Sequence, residues 1–382
     1  MAITKVDSSM YEDVSGANNL VKLDANAKIP AGAATNLTNL PGVIKSSSDP
    51  TVSSNKTLGT QWANTTSGEL YVCTDATAGA NVWTNVGEGT DNIAPYYYQG
   101  TTYGYTHGGE VPPDSNVIDK FSFTSDANAI DVGDLTVAMD YCSGSSSETY
   151  GYSAGRSPAP QNTICKYSFA TDGNATDVGD MTTPRNSPGG VTSPTHGYVI
   201  GGYQFTPAGV SGIKDKYSFA TDGNATNVGT LSVARLQTGG HTDTVYGYST
   251  CGANGVTYYN VIDRWQFASE ANSVDVGDMT VAEHRSGGSS SLTHGYCTGG
   301  SGLNVIDKFA FSSSATGTDV GDIPGTTNMG NSGHSSTTHG YATSVSTQVS
   351  NQICKYSFTT DGNSTDVGDL TVARSYVAGT HV

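Results

Sequence analysis

Positive charge is scarce in this 382-residue chain: 17 Lys and Arg stand against 34 Asp and Glu, a formal net charge of −17. Phosphate recognition needs clustered Lys and Arg, so the balance argues against nucleic acid as a partner. Charged residues of both signs make up only 13% of the chain, which leaves few surface ion pairs. No run of 18 apolar residues occurs, and no membrane insertion is expected. The opening MAITKVDSSMYEDV lacks an apolar core flanked by basic residues, so no secretory leader is read there. A chain of this kind that works outside a cell is expected to leave by assembly and lysis. The six cysteines show no CxxC spacing and no paired framework; free thiols in a protein folded in a reducing cytoplasm are expected. G-x-S-x-G and HExxH are both absent, and no unique acidic pair stands apart from the repeats.

What the chain has in excess is glycine, 48 residues against a usual ~7%, and internal repetition. Six copies of a roughly 47-residue unit fill residues 94–382. Each carries a Gly-Tyr pair with its tyrosine at Tyr105, Tyr152, Tyr198, Tyr248, Tyr296 or Tyr341. A basic residue before an aromatic follows, at Lys120, Lys166, Lys216, Arg264, Lys308 or Lys355. A corner then begins at Asp131, Asp177, Asn227, Asp275, Asp319 or Asp366. The step from basic residue to corner is 11 positions in every unit, whereas the step from tyrosine to basic residue runs from 12 to 18. A fixed frame with one variable loop per unit is how a scaffold presents a surface.

Each unit reads as four short strands, since β-branched and aromatic residues dominate and Gly, Asn, Asp and Ser punctuate them. In unit four these are QTGGHTDT, VYGYSTCG, NVIDRWQF and SVDVGDMT. In the third, Ile262, Arg264 and Gln266 are expected on one face and Asp263 and Trp265 on the other. The first strand, rich in Gly and Ser, suits the innermost position of a radial array, where small side chains let sheets converge. The expected fold is all-β: a six-bladed propeller after a small β-rich N-terminal anchoring region, with a solenoid as the alternative. The final SYVAGTHV is a further copy of the first strand. It either closes the ring in the first blade or displaces YYYQG from that slot.

The units resemble the kelch repeat. The shared features are the apolar-Gly-Gly end of the second strand (Gly201 and Gly202, Gly299 and Gly300), the aromatic of the third strand, and an Arg opening the next unit (Arg185, Arg235, Arg374). The fourth strand departs, with Val where kelch repeats usually carry tryptophan. The resemblance implies the propeller and says little of function.

Residues 1–93 lie outside the repeats. An N-terminal attachment segment is read at 1–45, a polar linker SSSDPTVSSNK at 46–56, and a small β-module at 57–93. The phrases KLDANAKIPA and GTQWANTTSGELYVCTDATAGANVWTNVG are similar to the amino-terminal regions of phage structural proteins, above all tail-fibre and appendage proteins of viruses infecting marine bacteria and cyanobacteria. The resemblance implies a virion protein assembled in the host cytoplasm. It would be anchored to other virion proteins through residues 1–93, be homo-oligomeric, and project a propeller.

Recognition is expected in the variable loops between second and third strands. Glu110, Pro112, Pro113 and Asp114 mark the first, Tyr203 and Phe205 the third, and Tyr258 and Tyr259 the fourth; exposed aromatics there suit sugar stacking or protein contact. Trp62, Tyr71 and Trp83 offer a second sugar platform or, the favoured reading, the core of the small module. The corner carboxylates are expected to cap turns rather than hold calcium, and the recurring Lys and Arg to pair with acids such as Asp119, Asp263 and Asp307. His196, His294 and His339 are expected to pack rather than ligate. No metal, cofactor or catalytic residue is expected. The resulting expectation is a non-enzymatic virion protein, a tail fibre or appendage whose propeller binds a host-surface glycan or protein or a neighbouring virion protein. The alternatives are a head decoration protein without a receptor role, a glycan-cleaving propeller enzyme and a cellular kelch-like adaptor.

Overall fold

The computed structural model describes residues 43–86, 98–155, 162–312, 314–327, 330–345 and 349–382. The chain divides into two compact units, Met1–Tyr96 and Tyr97–Val382. Regular structure among the described residues is all β-strand, and no helix there is long and apolar enough to cross a membrane. Most of the expected attachment segment, residues 1–42, and of the loop 155–163 lie outside the described residues.

In the first unit, four strands form one sheet in the order Val43–Ser46, Gln61–Asn64, Leu70–Asp75, Val82–Asn85, the first pair parallel and the rest antiparallel. Tyr71, Cys73 and Trp83 are its core and Trp62 packs against them, edge-on to Trp83 at 5.8 Å. Trp83 is 0% and Tyr71 1% exposed, so neither can offer a face to a sugar, and the platform reading is corrected to core. The linker reading of 46–56 is corrected as well. The buried indole of Trp83 donates to the Thr51 carbonyl at 3.1 Å and the half-buried Trp62 to that of Ser48 at 2.9 Å, while the Asn81 N–H donates to the Val52 carbonyl at 2.8 Å. That polar stretch is bound in through its backbone.

The second unit holds six sheets, one per repeat, joined by a small hairpin sheet in unit three; five are four-stranded and antiparallel, and that of unit four gains a fifth strand, Ala315–Thr316 of unit five, paired parallel to its edge. Unit two is typical: Ser143–Ser146, Tyr150–Ala154, Thr163–Ser168 and Thr176–Asp180, in that order. The first strands of units three to six are Gly189–Thr192, Gly239–Thr242, Gly287–Ser290 and Ser332–Ser335. Unit one is built from both ends of the repeat region. Ala378–His381 pairs antiparallel with Tyr103–His107, Thr380 opposite Tyr105, and so takes the first-strand place. The described end of YYYQG is elsewhere: the Gln99 side-chain amide donates to the Ser290 carbonyl at 3.2 Å, and the Tyr98 hydroxyl donates to that of Ser291.

Successive units touch through the same contacts. Each recurring tyrosine lies over a phenylalanine of the next unit, from Tyr105 on Phe169 at 4.7 Å to Tyr296 on Phe358 at 4.8 Å, and Tyr341 of unit six lies on Phe123 of unit one at 4.7 Å. The strand-three lysines reach acids in the following unit's turn: Lys120 to Asp172 at 3.0 Å, Lys166 to Asp222 and Lys308 to Asp361 at 2.6 Å, with Lys216–Glu270 and Lys355–Asp126 alike. This corrects the partners expected from sequence. Asp119 and Asp263 instead take the buried Arg374 and Arg235. The third strand does not alternate, because neighbouring sheets cover both its faces: Ile262, Asp263 and Trp265 are all buried.

The first strands converge as their composition requires. Each contacts the first strands of both neighbouring units, unit six meeting unit one. A Cβ at Gly144 would collide with the Gly379 carbonyl, one at Gly190 with that of Gly144, and one at Gly240 with that of Gly190. A first-strand side chain also meets the third-strand aromatic of the next unit, and the two are matched. Ser145, Ser289 and Thr380 bond the hydroxyls of Tyr217, Tyr356 and Tyr167, while His241 and His334 stand edge-on to Phe309 and Phe121. The corner carboxylates cap their own turns: Asp131 accepts from the Gly133 N–H at 3.1 Å and Asp319 from that of Gly321 at 3.1 Å.

Candidate functional site

Entry into each first strand passes through one residue with a left-handed backbone. These are Tyr141, Ser187, Gln237, Arg285, Gly330 and Tyr376, with φ of 51°, 56°, 57°, 67°, 36° and 52°. The shared geometry comes from a belt of hydrogen bonds between units. The Ser187 N–H donates to the Tyr141 carbonyl (2.8 Å), Gln237 to Ser187 (2.8 Å), Arg285 to Gln237 (3.0 Å), Tyr376 to Gly330 (2.9 Å) and Tyr141 to Tyr376 (3.2 Å). Glycine adopts this conformation most readily, and unit six uses it. The other five units hold a side chain there, in a chain otherwise rich in glycine.

Those side chains surround the mouth of a cavity of about 120 Å³ lined by the first strands of all six sheets. Tyr141 and Tyr376 stack at 3.9 Å, and the Arg285 guanidinium lies 5.3 Å from the Tyr376 ring. Gln237 and Asn331 add polar side chains, and the walls below are glycine backbone. A positively charged, aromatic and amide-bearing rim over a narrow polar cavity can hold a small polyhydroxyl or acidic group. Stacking would orient it, and the guanidinium would pair with its charge. At the other end of the first strands Tyr98 and His381 line a smaller cavity of about 70 Å³, where the His381 ring bonds the Tyr98 carbonyl at 2.7 Å. Burial holds that imidazole down at about 4.

The variable loops rise beside the mouth. Glu110 exchanges backbone hydrogen bonds with Ser375, next to Tyr376. Tyr203 pairs with Asn186, next to Ser187, in the unit-three hairpin sheet, where Tyr203 and Phe205 meet edge-on at 5.6 Å. Ala253 pairs with Leu236, next to Gln237. Tyr258, 49% exposed, stacks on His284 at 4.3 Å, next to Arg285. Burial and the neighbouring Arg285 lower that imidazole to about 4, so it is neutral at pH 7. Tyr259 is half-buried and its hydroxyl accepts from Asn254, which stiffens the loop. Pro112 and Pro113 are exposed and Asp114 half-buried at the tip of the first loop.

Other candidate residues stay apart. His196, His294 and His339 lie in separate units, each bonded to its preceding threonine hydroxyl at 2.8 Å. Among the described residues of the variable loops the acids are Glu110 and Asp114, both in unit one. The mouth residues were missed from sequence, although a signal exists: each stands three positions before the glycine of its first strand, at Gly144, Gly190, Gly240, Gly288, Gly333 and Gly379. No protein-family model matches the chain, and no curated protein matches it.

Proposed function

We propose that the six sheets form a closed six-bladed β-propeller, and that this propeller is a non-enzymatic recognition module binding a host-surface glycan at the mouth of its central cavity. Closure is supported by the contacts of unit six with unit one, which repeat those between the other units. The recognition reading rests on the belt of left-handed residues. Backbone strain held at five of six equivalent places, where glycine would relieve it, marks a rim whose side chains are in use. The cavity is too small for a peptide segment and suits one sugar residue. Arg285 favours a sugar bearing a carboxylate or another anionic group. The setting on a virion appendage such as a tail fibre follows from the likeness of residues 22–31 and 59–87 to such proteins.

A glycan array probed with the full chain tests this reading. Binding to an acidic glycan is expected, with Arg285→Ala and Tyr141→Ala each losing at least about tenfold in affinity, the size of one removed stacking or charged contact, while the melting temperature holds. Retention of wild-type affinity by both variants, or no glycan bound at all, would overturn it.

A further inference from the structure

The slot two residues before each mouth residue lies against the third strand of its own unit. In units one, three and four it holds Arg374, Arg185 and Arg235, paired with Asp119, Asp215 and Asp263 at 3.0–3.1 Å, every side chain 0% exposed. Unit five keeps the strand-three acid, Asp307, but has Glu283 in place of arginine. Two carboxyl groups thus share a space where the other units have one carboxylate and a guanidinium. Both are buried, Glu283 4% and Asp307 2% exposed. Among the described residues Oε2 of Glu283 and Oδ1 of Asp307 have no hydrogen-bond partner, whereas the other Asp307 oxygen accepts from the Thr280 N–H at 2.9 Å. Two thiols complete the cluster. The Sγ atoms of Cys251 and Cys297 and a carboxylate oxygen of Glu283 all lie within 4.8 Å of one another, and the Cys251 thiol donates to Glu283 at 3.8 Å.

We propose that Cys251, Cys297 and Glu283 bind a divalent, thiolate-preferring cation, zinc by this donor set, which does in unit five what arginine does in units one, three and four. Two thiolates and a carboxylate around a closed, buried point fit tetrahedral zinc, with bonds of about 2.0–2.3 Å that draw the three donors together. Binding displaces the protons of the two thiols and of the Glu283 carboxyl, and involves no redox step. Without a cation the cluster is unfavourable, because carboxylate oxygens of Glu283 and Asp307 are buried there with no hydrogen-bond partner among the described residues. The third donor comes from the chain entering unit five and the first from the end of the second strand of unit four, so the ion would tie two sheets together.

The test is metal analysis of the full chain purified without chelator or affinity metal. About one zinc per chain is expected, and cobalt substitution should give thiolate-to-cobalt charge-transfer absorption. Glu283→Gln, nearly isosteric, should lose more than the roughly tenfold in affinity typical of an outer-shell change. Cys297→Ser should abolish binding, while Cys354→Ser, at the buried strand-three slot of unit six, should leave it intact. Chelation should lower the melting temperature of the wild type and leave Glu283→Gln unmoved. A chain without retained or added zinc, equal zinc in Cys297→Ser and wild type, or a Cys251–Cys297 disulfide in place of free thiols would each overturn the proposal.

Discussion

Units one, three and four bury an arginine against an aspartate; unit two fills the same two slots with Met139 and Cys165, and unit five with Glu283 and Asp307. The frame around them hardly changes. In every unit the third strand keeps its aromatic under the neighbouring tyrosine, and the corner keeps its capped turn. What the repeat preserves at this slot is therefore filled volume, with charge balanced in whatever way the residues allow. An ion pair achieves this by attraction that offsets a large desolvation cost. Unit two achieves it by carrying no charge, and unit five leaves the balance to something other than a side chain.

Converting one solution into another should break this comparison most severely. Arg235→Met leaves Asp263 buried and unpaired and is expected to cost about 3–5 kcal/mol. Adding Asp263→Cys, which copies unit two, should recover most of that loss in urea unfolding. If the double variant is as unstable as the single one, charge is not what the slot balances. Acid acts on a different class of buried polar group. Burial holds His107 and His334 down at about 3 and His381 at about 4. The folded chain therefore keeps these rings neutral while the unfolded chain takes up protons below about 6.5. Their contribution is complete above that pH and is lost as pH falls toward 3–4, by up to about 1.4 kcal/mol per pH unit for each ring. Urea midpoints measured downward from neutral pH should show this slope, and His334→Gln should reduce it; an unchanged slope would exonerate that ring. The smallest effect belongs to the outer ion pairs. Lys166 and Asp222 are 18% and 52% exposed, so Lys166→Ala should cost no more than about 1 kcal/mol, and less in salt. A loss equal to that of Arg235→Met would erase the distinction between inner and outer pairs.

The strands were readable because they are local. The fixed 11-residue step set the third strand and its corner, and the six recurring tyrosines fell in the core. The partners of charged residues were not, because they depend on which unit lies alongside. Lys120 meets Asp172 across a sheet-to-sheet gap, and Arg374 reaches Asp119 from the far end of the chain. The stretch 46–56 misled because its Ser and Asp composition describes side chains, while its carbonyls are what the indoles require. The mouth was hidden by its variability: Tyr, Ser, Gln, Arg, Gly and Tyr share a backbone conformation and nothing that composition can register. The variable loops were visible as loops, and the structure sets those of units one, three and four beside that mouth.

Unit one takes its first strand from Ala378–His381, which follows every other described strand of the repeats along the chain. Until it is in place the Tyr103–His107 strand presents an unpaired edge, and an open edge is a template for any free strand that matches it. A chain interrupted before this strand would thus carry one adhesive flank. Such a chain could capture the terminal segment of a full-length sister and exchange strands with it. The quality of this protein in a cell should therefore depend on whether the Ala378–His381 strand is made and kept intact.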